Sequence, residues 1–209
     1  AQLFADHVAV AINNQQLIRA AQLRAAQLRV VHQASEGLRA IRELPALLNE
    51  VARLLYASFG HHQVYICLLE GDELAVQALC GRVNSVDQLE SMRRYSTATG
   101  LTGWVVRNNK SLLVNNVAAD VRYVAHPQTR GTQAELVAPI SHEGRVLGVI
   151  AIQSTKTGSF GQNDVHLIEA LASLTAMAME RIRHEEELRS VQEQLSRNER
   201  LRALGELAS

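Results

Sequence analysis

The stretch that most restricts what this chain can fold into is its last quarter, 162–209, which reads as one helix with two unlike halves. Ile168, Leu171, Thr175, Ala178, Met179 and Ile182 recur at threes and fours, the spacing of one helical face. A start signal, Phe160-Gly161-Gln162-Asn163-Asp164, precedes them. Beyond Ile182 charge rises (Arg183, Glu185, Glu186, Glu187, Arg189) and the apolar face thins to Leu188, Val191 and Leu195. So narrow a seam suits a contact between two helices and not a domain core. Leu201 and Leu204 then follow at threes, a phase break of the kind that alters coiled-coil winding. A helix that begins inside a domain and leaves it with no stop signal is expected to carry a signal.

Composition bounds the rest. A length of 209 residues suits one core domain with helical extensions, and 47% apolar residues suffice for a buried core. The 21 basic and 21 acidic side chains cancel, which argues against nucleic acid or an anionic membrane as a general partner. No apolar run approaches the ~20 residues that span a bilayer. The first residues lack the basic start and apolar block of a secretion signal. Cys67 and Cys80 give neither a disulfide framework nor metal-ligand spacing, so a reducing cytoplasm is the expected location.

Residues 3–42 read as one long helix. A four-three alternation from Leu3 to Leu38, interrupted by His7, Asn14 and Arg24, predicts a weak dimeric coiled coil. Its Ala-Ala-Gln-Leu-Arg repeat at 20–29 places Leu23 and Leu28 about 140° apart and reads as helix-favouring filler. Pro45 breaks that helix and opens a second, with Leu47, Leu48, Val51, Leu54, Leu55 and Phe59 on its buried face. A hairpin is expected over 64–69 and 74–80, turned by Glu70-Gly71-Asp72-Glu73. A short strand at 92–96, a helix from Gly100 ended by Asn108-Asn109, a strand at 111–114 and a long loop over 115–133 follow. The strongest strands, 134–141 and 145–154, are joined at His142-Glu143-Gly144. This order predicts an α+β fold with an antiparallel sheet.

Five stretches in order carry a resemblance. They are Gly100-Leu101-Thr102-Gly103-Trp104-Val105; Val114-Asn115-Asn116-Val117 with Asp120-Val121-Arg122-Tyr123; Ala134 to Ile140; Gly144 to Ser154; and Phe160 with Asp164. Over residues 45–182 the chain resembles a GAF domain, a small-molecule and light-sensing module of signalling proteins. Val121 stands where that family often has proline. The resemblance implies helices packed on one face of the sheet and a ligand site under loops on the other. The run Glu199 to Ser209 is similar to the opening of a histidine-kinase dimerisation helix, which usually continues into Gly-x-Ala-His-Glu. Residues 3–12 resemble 171–179, as the end of a preceding GAF-like domain would. Together these imply three parts: a helix over 1–44, a sensory domain over 45–182 and an outgoing helix over 183–209. The implied protein is a cytoplasmic, two-component histidine kinase sensor, homodimeric through its terminal helices. Two alternatives stay open, a ligand-free dimerisation spacer and a cysteine-dependent free methionine sulfoxide reductase.

Candidate ligand-binding residues are Trp104, Tyr123, His126, Arg130 and Glu135. Each has a plainer reading beside it. His126 is by default a solvated loop histidine, with haem or anion binding as the sharper alternative. Arg130 either holds an anion or braces the loop. Trp104 reads first as a core plug and second as a platform for a ligand. Arg122 and Tyr123 read as packing residues, with Glu135 bracing Arg122 or Arg130. The cysteines read as small buried hydrophobes. A covalent bilin would need a cysteine in the later helix and loop, and none is there. The Asn-Lys-Phe-Asp-Glu run of cyclic-nucleotide GAF domains is also missing. No catalytic set, metal site or phosphate loop is expected, and no cofactor is assigned.

Overall fold

A computed structural model describes residues 15, 31–32, 34–60, 63–81, 94–125 and 131–207, with side chains through 198. Helical residues 34–39 lead into α1 (Leu44–Ser58). Then come β1 (Gln63–Glu70), β2 (Glu73–Cys80), β3 (Arg94–Ser96), α2 (Gly100–Asn108) and β4 (Leu112–Val114). A 3₁₀ turn (Val117–Ala119), β5 (Ala134–His142), β6 (Arg145–Ser154) and α3 (Gln162–Leu207) complete the order. The six strands form one antiparallel sheet in the order β3-β2-β1-β6-β5-β4. The α+β architecture expected from the sequence is the one observed.

Both hairpins close as their turn residues dictate. Gly71, at φ +63°, turns β1 into β2. Glu143 and Gly144 take φ of +49° and +81°, both positive as the tight β5–β6 turn requires. The alternation of strand residues then sorts the sheet into two faces. Val64, Ile66, Leu136, Ala138, Ile140, Ile150 and Ile152 face α1 and α3, where Leu47, Leu48, Val51, Leu55, Ile168 and Leu171 cover them. Tyr65, Cys67, Val137, Val149 and Ala151 face the other way, under Leu101 and Val105 of α2.

Asp164 reaches back to the Gly161 amide at 2.8 Å and starts α3 where the sequence placed it. One face of the helix stays buried through Ile182, after which Leu188, Val191 and Leu195 are more than half exposed. The incoming helix ends earlier than the periodicity suggests, at residue 39 and not near 42. The Arg181 guanidinium of α3 supplies the reason, since it donates to the Leu38 and Ile41 carbonyls at 3.4 and 2.6 Å. Glu185 holds both Arg181 and Arg42, which ties the incoming segment to the outgoing helix. Most of the heptad seam expected over 3–38 lies outside the described residues.

Candidate functional site

On the face away from α1 and α3, three neighbouring strands bring polar side chains together where apolar ones prevail. Glu135 of β5 sits directly across from Gln153 of β6, and Tyr65 of β1 lies opposite Ala151 of β6. Thr132 donates to the Gln153 carbonyl oxygen at 3.1 Å, and the Gln153 amide donates to the Tyr65 hydroxyl at 3.1 Å. Tyr65 in turn donates to Glu135 Oε1 at 2.7 Å. Glu135 is only 3% exposed. Burial pushes its carboxyl above the usual carboxylate range, against the opposing pull of Tyr65 and Gln153. Burial, helped by the neighbouring Glu135, also drives the Tyr65 phenol well upward.

These three side chains floor a cavity of about 100 Å³. Tyr95, Ser96, Tyr123 and Val124 wall it, and the first turn of α2, with Thr99 before it, roofs it. The roof can sit this low because Gly103 has no side chain. A Cβ there would stand 2.5 Å from the Thr97 carbonyl oxygen, which also accepts from the Arg107 guanidinium. That contact holds the end of β3 against α2 and sets the wall in place.

Of the candidates named from sequence, Tyr123 and Glu135 border this cavity. Trp104 does not; its ring lies under the Arg122 guanidinium, 5.1 Å from the centroid. The Arg122 guanidinium donates two hydrogen bonds to the Asp120 carboxylate, at 2.9 and 2.6 Å, which keeps the Asp120 carboxyl below its usual range. Among the described residues Glu135 is held by Tyr65 and Gln153, and Arg122 is paired with Asp120 instead. His126 and Arg130 lie outside the described residues. Sequence reasoning passed over Tyr65 and Gln153. The available signal was a polar group on the same face parity of each apolar strand.

The cysteines are free, with Cys67 fully buried and Cys80 partly so. Burial pushes both thiols up, away from the thiolate a nucleophile needs. Among the described residues no group of three His, Cys, Asp or Glu could hold a metal ion.

Glu135 carries a testable cost. Its carboxyl titrates higher in the fold than in the unfolded chain, where glutamate sits at about 4.3. The folded state is therefore least penalised below that pH and loses stability as pH rises through the folded value. Glu135→Gln is expected to raise Tm at pH 8 by a few degrees, on the order of 1 kcal/mol, with the gap closing toward pH 4. Calorimetry at both pH values checks this; an equal gap at each would contradict it.

An antiparallel sheet covered by helices on one face and roofed over a polar cavity on the other defines a regulatory, sensory class of α+β domain. The chain belongs to the GAF domain family, whose model matches residues 41–180. Solved structures agree in fold. The GAF domain of a phosphoenolpyruvate-protein phosphotransferase from Coxiella burnetii is 19% identical at TM-score 0.69, covering 77% of this chain and 96% of that one. Free methionine-R-sulfoxide reductase from Neisseria meningitidis, in complex with its substrate, is 22% identical at TM-score 0.68, covering 77% and 92%. The A. aeolicus nlh2 GAF domain in an inactive state is 23% identical at TM-score 0.64, covering 76% and 98%. No curated protein matches the chain.

Proposed function

We propose that this chain is the sensory segment of a two-component histidine kinase. A small molecule held over Tyr65, Glu135 and Gln153 biases α3, and α3 passes the change to a kinase domain through a dimeric coiled coil. The observation that carries this reading is the double character of α3. Ile168, Leu171 and Ile182 are buried in the domain, while Leu188, Val191 and Leu195 of the same helix stand exposed at threes and fours. Apolar residues at that spacing stay in water only in the absence of a second helix. The kinase-like run Glu199 to Ser209 supports the output assignment. Among the described residues no helix is long and apolar enough to cross a membrane, which fits the cytoplasmic placement proposed here.

The reductase reading is the weaker one, because the only two cysteines lie in β1 and β2 and burial raises both thiols. A ligand-free spacer would have no use for a buried carboxylate at the floor of a cavity.

Sedimentation velocity across the micromolar range tests the dimer. The chain is expected to sediment as a dimer. The double variant Leu188→Glu, Val191→Glu is expected to sediment as a monomer with the domain's Tm little changed, since both side chains lie outside the core. A parent chain that stays monomeric, or a dimer indifferent to both glutamates, would defeat the proposal.

A further inference from the structure

The electrostatics of the cavity narrow its ligand, on the reading above that this cavity is the ligand site. The hydrogen-bond chain on its floor runs one way, from Thr132 to Gln153 to Tyr65 to Glu135. Each donor is aimed toward the carboxylate, so the network treats Glu135 as an acceptor and supports its anion. The described residues lining the cavity include no lysine, arginine or histidine. Arg122, next in sequence to the lining Tyr123, is committed to Asp120 and to the Trp104 ring. Among the described residues Glu135 has no basic partner; a buried carboxylate so placed is costly, and a ligand that brings positive charge relieves it. Tyr65, Tyr95 and Tyr123 surround the same space, and aromatic rings attract cations across their faces.

We infer that the cavity takes a compact molecule bearing an ammonium group, which donates to Glu135 among the three tyrosines. Across the cavity, the first turn of α2 has no side-chain cap from Thr99 and no acidic residue. Its amides are available to a hydroxyl or carboxylate elsewhere on the same molecule. A helix start alone would draw a simple anion, but an anion here would lie against the buried Glu135.

Four near-isosteric probes separate the cases: butylamine, 2-aminobutyrate, butanol and butyrate, each titrated by calorimetry and by NMR into the millimolar range. The two amines are expected to bind saturably and the other two not at all. Glu135→Gln should weaken amine binding at least about tenfold, the scale of a lost charge-assisted bond. Glu169→Gln, on the exposed face of α3, should leave it unchanged. Binding of butyrate or butanol without the amines would overturn the ammonium assignment and leave the sensor reading standing. Amine binding that ignores Glu135→Gln would overturn it too, by placing the cation elsewhere. Silence from all four probes would remove both this inference and the ligand-sensing function beneath it.

Discussion

Gly148→Val is expected to cost the domain about 3 kcal/mol or more, a fall in Tm of roughly 10 °C for a chain of this size. Gly148 lies in β6, between Leu68 of β1 and Ile140 of β5, in the middle of the sheet. A Cβ at this position would overlap the Cys67 carbonyl oxygen and stand 3.0 Å from Leu68 Cα. Both obstacles are backbone in a paired strand, so neither can rotate away as a side chain would. Relief requires β1 and β6 to separate, and β1 carries Tyr65 while β6 carries Gln153, so the cavity floor opens with the sheet. Gly37→Ala is the control, because nothing lies within 4 Å of a Cβ there and no positive φ is imposed. Thermal and urea denaturation of the two variants side by side decide the matter. Equal stability would mean that the close approach of β6 to β1 is not what fixes glycine at 148.

The same glycine shows why part of this fold was legible and part was not. Alternating apolar residues and turn glycines mark each hairpin locally, so β1, β2, β5 and β6 could be read within a few residues. Gly100 and Asn109 mark the two ends of α2, and Asn109 does take the left-handed conformation at φ +47° that ends a helix. Gly148 and Gly103 belong to a different kind of information. They are small because a backbone from elsewhere passes close by, and such an approach depends on register. The partnership of Tyr65 with Glu135 spans 70 positions in the chain. Glu135 could be picked out as a polar group beside an apolar strand, yet its partner was sought in the adjacent loop because arginines stood there. The sheet order β1-β6-β5 supplies partners from far along the chain, by bringing Tyr65, Gln153 and Glu135 onto one face of three consecutive strands. β3 was the least distinct element, since three residues paired along one edge carry too little pattern to set a boundary.

Asn115→Ala is expected to loosen the link between the sheet and α3 and to cost about 2 kcal/mol, the sum of two part-buried hydrogen bonds. Asn115 follows β4 and grips the residue just ahead of α3 with both ends of its amide. Nδ2 donates to the Phe160 carbonyl at 2.8 Å, and the Phe160 N–H donates to Oδ1 at 3.1 Å. Its own carbonyl takes the Gly158 amide at 3.0 Å. The Phe160 ring, thus fixed, is buried edge-on against Phe59 at the end of α1, with ring centres 6.2 Å apart. Gln153 on the cavity floor is followed by Ser154, whose hydroxyl bonds that of Ser159 at 2.7 Å, one residue before Phe160. On the signalling role proposed above, these contacts are the route by which a displacement at the cavity floor would reach the head of α3, with Asn115 as the clamp that keeps the loop from absorbing it. Asn115→Asp keeps the acceptor for the Phe160 amide but sets a carboxylate against the Phe160 carbonyl, so it should lose more than half of the clamp. Hydrogen exchange separates this role from general destabilisation. Amides at 161–165 should exchange faster in Asn115→Ala, while those beyond Ile168, held by the core, keep the protection that the global stability allows. Uniform loss of protection along α3 would make Asn115 an ordinary stabilising residue and would remove the proposed connection between cavity and α3.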